Sequence, residues 1–301
     1  MAIVINVNGR IAHDTSATIP VLDHGFLYGE GVYEVCRTYC GRPFLLDRHL
    51  HRLRASAGLI ALSVPHSDGE FETRISDTMA AAGLFPWRTG GADAYIRLLL
   101  TRGVGELTYD PAATPAPTLV IIARPHKTPD PRIYENGVSV SIVSIQRNAP
   151  AALNPLIKSN NLLNNALAMQ RALASGGFEA VMRNARGELA ECSQSNLFVV
   201  SGGVVRTPPL ESGLLAGITR QFVLELCGEE GIAAEETTLH DADLLEADEV
   251  FITSSTREIV PVVRVDHTTI GSGKPGATTT RLIAAFGAGV DRLCPAAGVH
   301  S

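Results

Sequence analysis

Lysine is scarce in this sequence: of 25 basic residues only Lys127, Lys158 and Lys274 carry an amine. Lys158 lies in Leu153-Asn-Pro-Leu-Ile-Lys-Ser-Asn-Asn-Leu-Leu163, between an apolar segment and a helix start. The inner face of that helix is expected to carry Leu163, Ala166, Leu167, Gln170 and Leu173. Burial lowers a lysine's pKa and makes the neutral amine available for Schiff-base chemistry with a carbonyl. A loop lysine whose ammonium reaches water fits the same position. Lys127 falls in a proline-rich stretch and Lys274 in a Gly271-Ser-Gly-Lys-Pro-Gly276 loop.

Three places could receive a phosphate. Leu215-Ala-Gly-Ile-Thr-Arg220 opens a helix, so the N–H groups near Ile218 and Thr219 point at whatever precedes them, and the Thr219 hydroxyl adds a donor. Thr253-Ser-Ser-Thr256, with Ser255 at its centre, follows a strand and offers hydroxyls and turn amides. Arg52 projects from a helix. A helix cap, a polar turn and a solvated arginine would account for the same residues. Glu191, on the return strand of a hairpin, is led toward the interior, where a carboxylate needs a cationic partner; a surface glutamate at a strand end is the other reading. Cys192 beside it has no placed histidine base and is a poor nucleophile. Tyr33, Val35, Arg37 and Tyr39 share one strand face, and Tyr95, Arg97 and Leu99 share another. Arginine beside tyrosine suits a carboxylate, because the guanidinium offers a bidentate fork. An edge strand with a polar outer face is equally compatible.

Several function classes are disfavoured. The 301 residues carry 31 acidic against 25 basic side chains, a formal charge of −6 and a pI near 5.8. That leaves no basic footprint for nucleic acid or an anionic membrane. Neither GxxxxGK[ST] nor GxGxxG is present, which removes the common nucleotide loops. The nine histidines form no HExxH pair, and His49 and His51 lie two apart on a helix, facing different ways, so a metal enzyme is disfavoured. Five scattered cysteines without CxxC spacing suit a reducing cytoplasm better than a disulfide framework. No apolar run is long enough to span a bilayer, and the alternating start, Met1 to Arg10, does not read as a signal peptide.

The elements that must position these residues follow from hydrophobic period and turn chemistry. A hairpin turns at Asn8-Gly9. Strands are expected at 31–39, 94–101, 118–123, 138–144 and 249–253, and hairpins at 184–187 and 202–203. Apolar spacing predicts helices at 46–62, 70–82, 161–174 and 217–227. The three prolines in Ala123–Pro131 mark a linker. An α+β fold of two domains results, 1–122 and 132–301, joined by 123–131, with Lys158 on the C-terminal domain.

The motifs together are similar to one family. Glu191-x-Ser193-x-x-Asn196-Leu197-Phe198, then Thr207, then Leu215-x-Gly217-Ile218-x-Arg220, match in order and spacing the signature of the class-IV aminotransferases. These are two-domain fold-type IV pyridoxal-phosphate enzymes, and the likeness extends from Asp23-His-Gly-Phe-Leu-Tyr-Gly-Glu-Gly-Val-Tyr-Glu34, through His49–Ser56, to Phe251–Glu258. The resemblance implies pyridoxal 5′-phosphate bound at the domain interface, with Lys158 forming the Schiff base and moving the proton between the amino acid's α-carbon and the cofactor. It implies Glu191 at the pyridine nitrogen, and Arg52, Ile218, Thr219 and Ser255 at the phosphate. Tyr28, Tyr33, Arg37, Tyr95, Arg97 and Thr256 would then meet the substrate.

The likeness to branched-chain L-amino-acid aminotransferases lies in Tyr95-Ile-Arg97, Arg37, Tyr28 and Tyr33, although the tyrosine those enzymes carry five residues after the lysine is Leu163 here. D-amino-acid aminotransferases resemble the chain at Gly31–Glu34 and Lys158–Leu163. The Arg-x-His carboxylate trap of those enzymes would fall at Leu107-Thr-Tyr109 and is missing. The expectation is therefore a cytoplasmic homodimer that moves an amino group between a branched-chain amino acid and a 2-oxo acid. A D-amino-acid transaminase, an aminodeoxychorismate lyase and a non-catalytic phosphate-ligand binding protein are the alternatives.

Overall fold

Asn8 and Gly9, at φ 51° and 93°, close the first hairpin between β1 (Val4–Val7) and β2 (Arg10–His13), as a two-residue turn with both centres left-handed should. The computed structural model describes residues 3–84 and 92–295; Met1, the first residue of the expected strand, lies outside them. The described chain divides into two units. One holds the residues up to Lys127, the short segment Ile157–Asn161 and the residues from Val290. The other holds Thr128–Leu156 and Leu162–Gly289.

In the first unit, α1 (His24–Leu27) leads into β3 (Gly31–Tyr39) and the short β4 (Arg42–Pro43). Then come α2 (Leu46–Leu59), α3 (Asp68–Ala81), β5 (Ala94–Thr101) and β6 (Thr118–Pro125). The strands form one antiparallel sheet in the order β2-β1-β6-β5-β3-β4. Alternation decides its two faces. Val32, Cys36, Ile96, Leu98, Leu100, Leu119 and Ile121 point inward against Leu50, Leu53 and Ala57 of α2 and Phe71, Ile75 and Met79 of α3. The other face carries Tyr33, Val35, Arg37, Tyr95 and Arg97, all half-buried.

Several expected boundaries move by one to three residues, and three of the shifts have a clear local cause. Helix α2 stops at Leu59 rather than 62 because the chain turns left-handed at Ala61 (φ 49°). Helix α3 starts at Asp68 rather than 70, since Ser67 caps it and exchanges hydrogen bonds with Glu70. The linker expected from 123 is strand as far as Pro125, which pairs with Ala94. Neighbouring β1 ends opposite Ala123, so the proline lies beyond the doubly paired part of the sheet.

The second unit contains α4 (Arg132–Glu135), β7 (Val138–Ile142), α5 (Leu163–Ala174), β8 (Glu179–Arg183), β9 (Leu189–Cys192), β10 (Asn196–Ser201) and β11 (Val204–Thr207). It continues through α6 (Ile218–Glu229), β12 (Ala234–Glu236), α7 (Asp241–Leu245), β13 (Glu249–Ser254), β14 (Glu258–Val265), β15 (Thr268–Thr269) and α8 (Ala277–Leu293), whose last residues belong to the first unit. Its mixed sheet runs β12-β11-β10-β13-β14-β7-β8-β9, with β15 on β14. Phe198 and Phe251 stack 4.8 Å apart across β10 and β13.

Helix α5 inverts the expected face. Ala168 and Ala172 are buried against Ala180 and Met182, while Leu163, Ala166, Leu167, Gln170 and Leu173 are exposed. Both faces satisfy helical spacing, and the alanine face, having little side chain, is the one that packs on the sheet. No helix of the described residues is long and apolar enough to cross a membrane.

Candidate active site

Lys158 sits in a segment that behaves as an added strand of the first unit. The Tyr33 N–H donates to the Lys158 carbonyl (2.9 Å), and the Asn160 N–H donates to Gly31 O (2.9 Å). Val32 and Ser159 form an antiparallel bridge, and the Lys158 N–H donates to the Ser56 hydroxyl (3.1 Å). Gly31 is required here: a Cβ would come within 2.5 Å of Asn160 Nδ2 and 2.9 Å of Leu100 O. The lysine therefore clusters with the first unit, where the sequence had placed it in the C-terminal domain. Its Nζ lies 4.6 Å from the centre of the Tyr33 ring, and the Arg97 guanidinium lies 4.3 Å from the same centre.

Arg52 is buried and held by Glu34. Its Nε donates to Oε1 (2.7 Å) and Nη2 to Oε2 (2.8 Å), while His49 Nδ1 lies 2.6 Å from Oε2. A two-point fork of this kind fixes the orientation of the arm. Sequence reading missed Glu34 as a partner, yet the signal was available: it alternates with Tyr33 onto the inward face, where an acid needs a cation. The Arg37 guanidinium stacks on Tyr39 (4.2 Å) and pairs with Asp93 (3.3 Å). That of Arg124 lies over Tyr95 (4.2 Å), and the Tyr28 ring meets the Tyr109 ring at 5.0 Å.

In the second unit Glu191 is 5% exposed on β9, a strand buried along its whole length, so the return strand does lead it inward. Its cationic partner is Arg147, which no local motif marks. Arg147 Nε donates to Oε1 (2.7 Å), and the Leu215 N–H donates to Oε2 (3.1 Å). Asn164 Oδ1 in turn accepts from Arg147 Nη1 at 3.2 Å. Asn196 Nδ2 lies 3.4 Å from Glu191 Oε2 and 3.0 Å from Leu215 O. Beside it, α6 has Gly217 as its N-cap and so no side-chain cap, and the first-turn N–H groups at Ile218 and Thr219 meet no capping oxygen. A Cβ on Gly217 would lie 1.9 Å from Asn196 Oδ1, so only glycine fits. Asn196 is also the cross-strand partner of Thr253, whose buried Oγ1 has no hydrogen-bond partner. Ser255 and Thr256 follow in the turn between β13 and β14.

Residues 31–265 match the amino-transferase class IV family. The chain belongs to that family. A Methanocaldococcus jannaschii protein provisionally named a branched-chain-amino-acid aminotransferase is 39% identical over 278 residues, 92% of this chain and 93% of that one. The D-alanine aminotransferase of Bacillus licheniformis is 36% identical, over 90% of this chain and 92% of its own. A solved branched-chain amino acid aminotransferase from Escherichia coli superposes with a TM-score of 0.89 at 31% identity, covering 96% of this chain and 94% of that one.

Class IV aminotransferases use pyridoxal phosphate, and the donor set suits that molecule. The first unit offers the Lys158 amine; the second offers the buried Glu191 carboxylate and, separately, an uncapped helix start beside an orphaned buried hydroxyl, and these are the kinds of group that an aldehyde, a ring nitrogen and a phosphate call for. Of the residues named from sequence, Lys158, Arg52, Tyr28, Tyr33, Arg37, Tyr95 and Arg97 fall in the first unit. Glu191, Ile218, Thr219, Ser255 and Thr256 fall in the second.

The buried charges give this class IV aminotransferase an acid-sensitive fold. Burial holds the His49 pKa below its ordinary 6.5, against the pull of Glu34. Burial and then Arg37 bring His126 down to about 4. Burial opposes ionisation of Glu34, but Arg52 and His49 outweigh it and keep the carboxyl well below its usual range. The unfolded chain thus binds more protons than the fold between pH 6.5 and about 4, through the histidines, and again below 4.5 through Glu34. Stability is fully present above pH 6.5 and is lost as pH falls. Urea midpoints should decline from pH 7 to 5 to 4, and His126→Asn should flatten the first part of that decline. A midpoint that rises toward pH 5 would contradict the assignment.

Proposed function

We propose that this chain is a pyridoxal-phosphate transaminase that moves an amino group between branched-chain L-amino acids and a 2-oxo acid such as 2-oxoglutarate. The observation that carries the reading is that the Lys158 amine and the Arg97 guanidinium both lie against the Tyr33 ring. A reacting amine and a carboxylate-binding cation then share one platform. Pyridoxal phosphate, when bound, supplies an electron sink that stabilises negative charge at the substrate α-carbon. Lys158 would hold its aldehyde carbon and carry the proton to and from that α-carbon. Glu191, its charge set against Arg147, would hold a proton at the ring nitrogen. Arg52, Ile218, Thr219 and Ser255 would bind the phosphate, and Thr256 would meet the substrate near it.

Tyr28, Tyr33 and Tyr95 provide apolar walls for a branched side chain, while Arg37 and Arg97 provide a seat for a second carboxylate. Where D-amino-acid enzymes carry Arg-x-His, this chain has Leu107-Thr-Tyr109, with Tyr109 packed on Tyr28, which supports the L-specific reading. Two exposed apolar surfaces support a homodimer: Val21, Leu22, Phe26 and Leu107 on the first unit, and Leu163, Leu167 and Leu173 on α5. Five free cysteines, four of them buried, support a cytoplasmic setting.

A panel of L- and D-amino acids, each followed as a half-reaction by cofactor absorbance, tests the assignment. L-leucine, L-isoleucine, L-valine and L-glutamate should convert fastest. Faster conversion of D-alanine or D-glutamate than of any L-amino acid would put the D-specific enzyme in its place, and a pyruvate-releasing reaction on aminodeoxychorismate would point to the lyase. Arg97→Ala should cost the glutamate half-reaction about 1.5–3 kcal/mol, about one to two decades in kcat/KM, and leave the leucine half-reaction nearly intact. Equal losses on both substrates would remove Arg97 from the carboxylate seat.

A further inference from the structure

We propose that Glu179, through its ion pair with Arg257, is a positioning residue that sets the Ser254–Thr256 turn for the cofactor's phosphate. The proposal rests on the cofactor reading above and names two residues outside it. Glu179 begins β8 and is 0% exposed. A carboxylate so deep survives only with its charge and lone pairs met. Arg257 Nη2 pairs with Oε1, and the Ser195 hydroxyl donates to the same oxygen at 2.8 Å. Oε2 accepts the Gln194 N–H at 2.9 Å and lies 3.4 Å from the Ser193 hydroxyl. One carboxylate therefore joins two loops of the second unit, 193–195 and 254–257.

Each of those loops borders a residue already assigned to the cofactor. Residues 193–195 connect Glu191 and Asn196, the carboxylate and the amide beside the α6 start. The other loop holds Ser255 and Thr256 and ends on Arg257. The Arg257 N–H donates to Ser254 O (3.3 Å), its Nε reaches the Ser254 hydroxyl (3.4 Å), and Nη2 reaches the Ser195 hydroxyl (3.1 Å). Its guanidinium also covers the Phe178 ring at 5.1 Å. Glu258 next in sequence adopts φ 58°, a left-handed conformation that a glutamate takes only when its surroundings impose it. The turn is thus held by side chains from outside it. Glu179 is the fixed point, Arg257 the strap, and the hydroxyls of Ser255 and Thr256 are placed as a consequence.

A pair that only cements the fold would change melting temperature and nothing else. A pair that positions the phosphate turn changes how strongly the phosphate contributes to binding. The test measures the melting temperature of the holoenzyme and the apparent Kd of pyridoxal phosphate and of phosphate-free pyridoxal, well below that temperature. In Glu179→Gln the Kd for pyridoxal phosphate should rise about tenfold or more, as loss of a charge-assisted contact would give. The Kd for pyridoxal should stay near the wild-type value, so the preference for the phosphorylated form shrinks. Because Glu179→Gln leaves Arg257 without its anion, the double variant Glu179→Met/Arg257→Met accompanies it. Removing both charges should restore the melting temperature while the preference stays reduced. A wild-type preference in the folded variants would overturn the positioning role and leave the transaminase reading standing. A wild-type chain that binds neither form would overturn both.

Discussion

Lys158→Ala should remove the absorbance band of the lysine Schiff base and nearly all turnover, with the fold intact. The anchoring of the segment is main-chain work: the Lys158 N–H donates to Ser56, its carbonyl accepts from Tyr33, and Asn160 bonds Gly31. Alanine preserves every one of those bonds, and the half-buried lysine side chain lies against the Tyr33 ring. The stability change should therefore stay within about 1 kcal/mol. Chemistry should lose far more, because in the proposed reaction the same amine holds the cofactor's aldehyde and carries the proton, and proton transfer alone contributes about 10²–10⁴-fold. Neither other lysine can take over: Lys127 follows β6, and Lys274 lies in the loop before α8. Added methylamine should restore part of the turnover by supplying the missing base. A variant that keeps both its colour and full turnover would remove Lys158 from the reaction.

Which parts of this architecture were legible in the sequence follows from how each part is stabilised. Strand β3 was readable to the residue because strict alternation and the flanking glycines leave one register. The Asn8-Gly9 and Asn184–Gly187 turns were readable because few residues tolerate their backbone. Strand β14 was not read, since Pro261 lies in its middle and a proline argues against a strand. Helix α8 was passed over as well: Thr278, Thr279 and Thr280 at its start and Gly287 and Gly289 in its body are weak helix formers. The candidate functional residues show the same division. Lys158, Glu191 and the α6 start are marked by local sequence. Glu34, Arg147, Glu179 and Arg257 matter through partners distant in sequence, up to 78 residues for the last pair, and no spacing rule reaches them. For Glu34 and Glu179 the one local hint was an acid on an inward strand position.

Glu191→Gln should separate binding from chemistry, provided the loss of the ion pair is controlled. Glu191 and Arg147 have side chains only 7% and 10% exposed, and Arg147 Nε donates to the carboxylate at 2.7 Å. Removing one member of a buried pair strands the other charge and costs about 3–5 kcal/mol of stability. The single variant should thus melt well below the wild type. Its amide still occupies the site and still accepts the Leu215 N–H, so cofactor should be retained. It cannot keep a proton at the ring nitrogen as a carboxylate does, and a lost charge-assisted hydrogen bond of about 1.5–3 kcal/mol is about one to two decades in rate. The double variant Glu191→Gln/Arg147→Met resolves the ambiguity, because taking out both charges leaves no stranded ion and the aliphatic chain fills most of the arginine's volume. Melting temperature should then return toward the wild-type value while kcat stays low. Recovery of kcat together with stability would mean that Glu191 serves the fold, with Arg147 as its partner, and has no part in holding a proton at the ring.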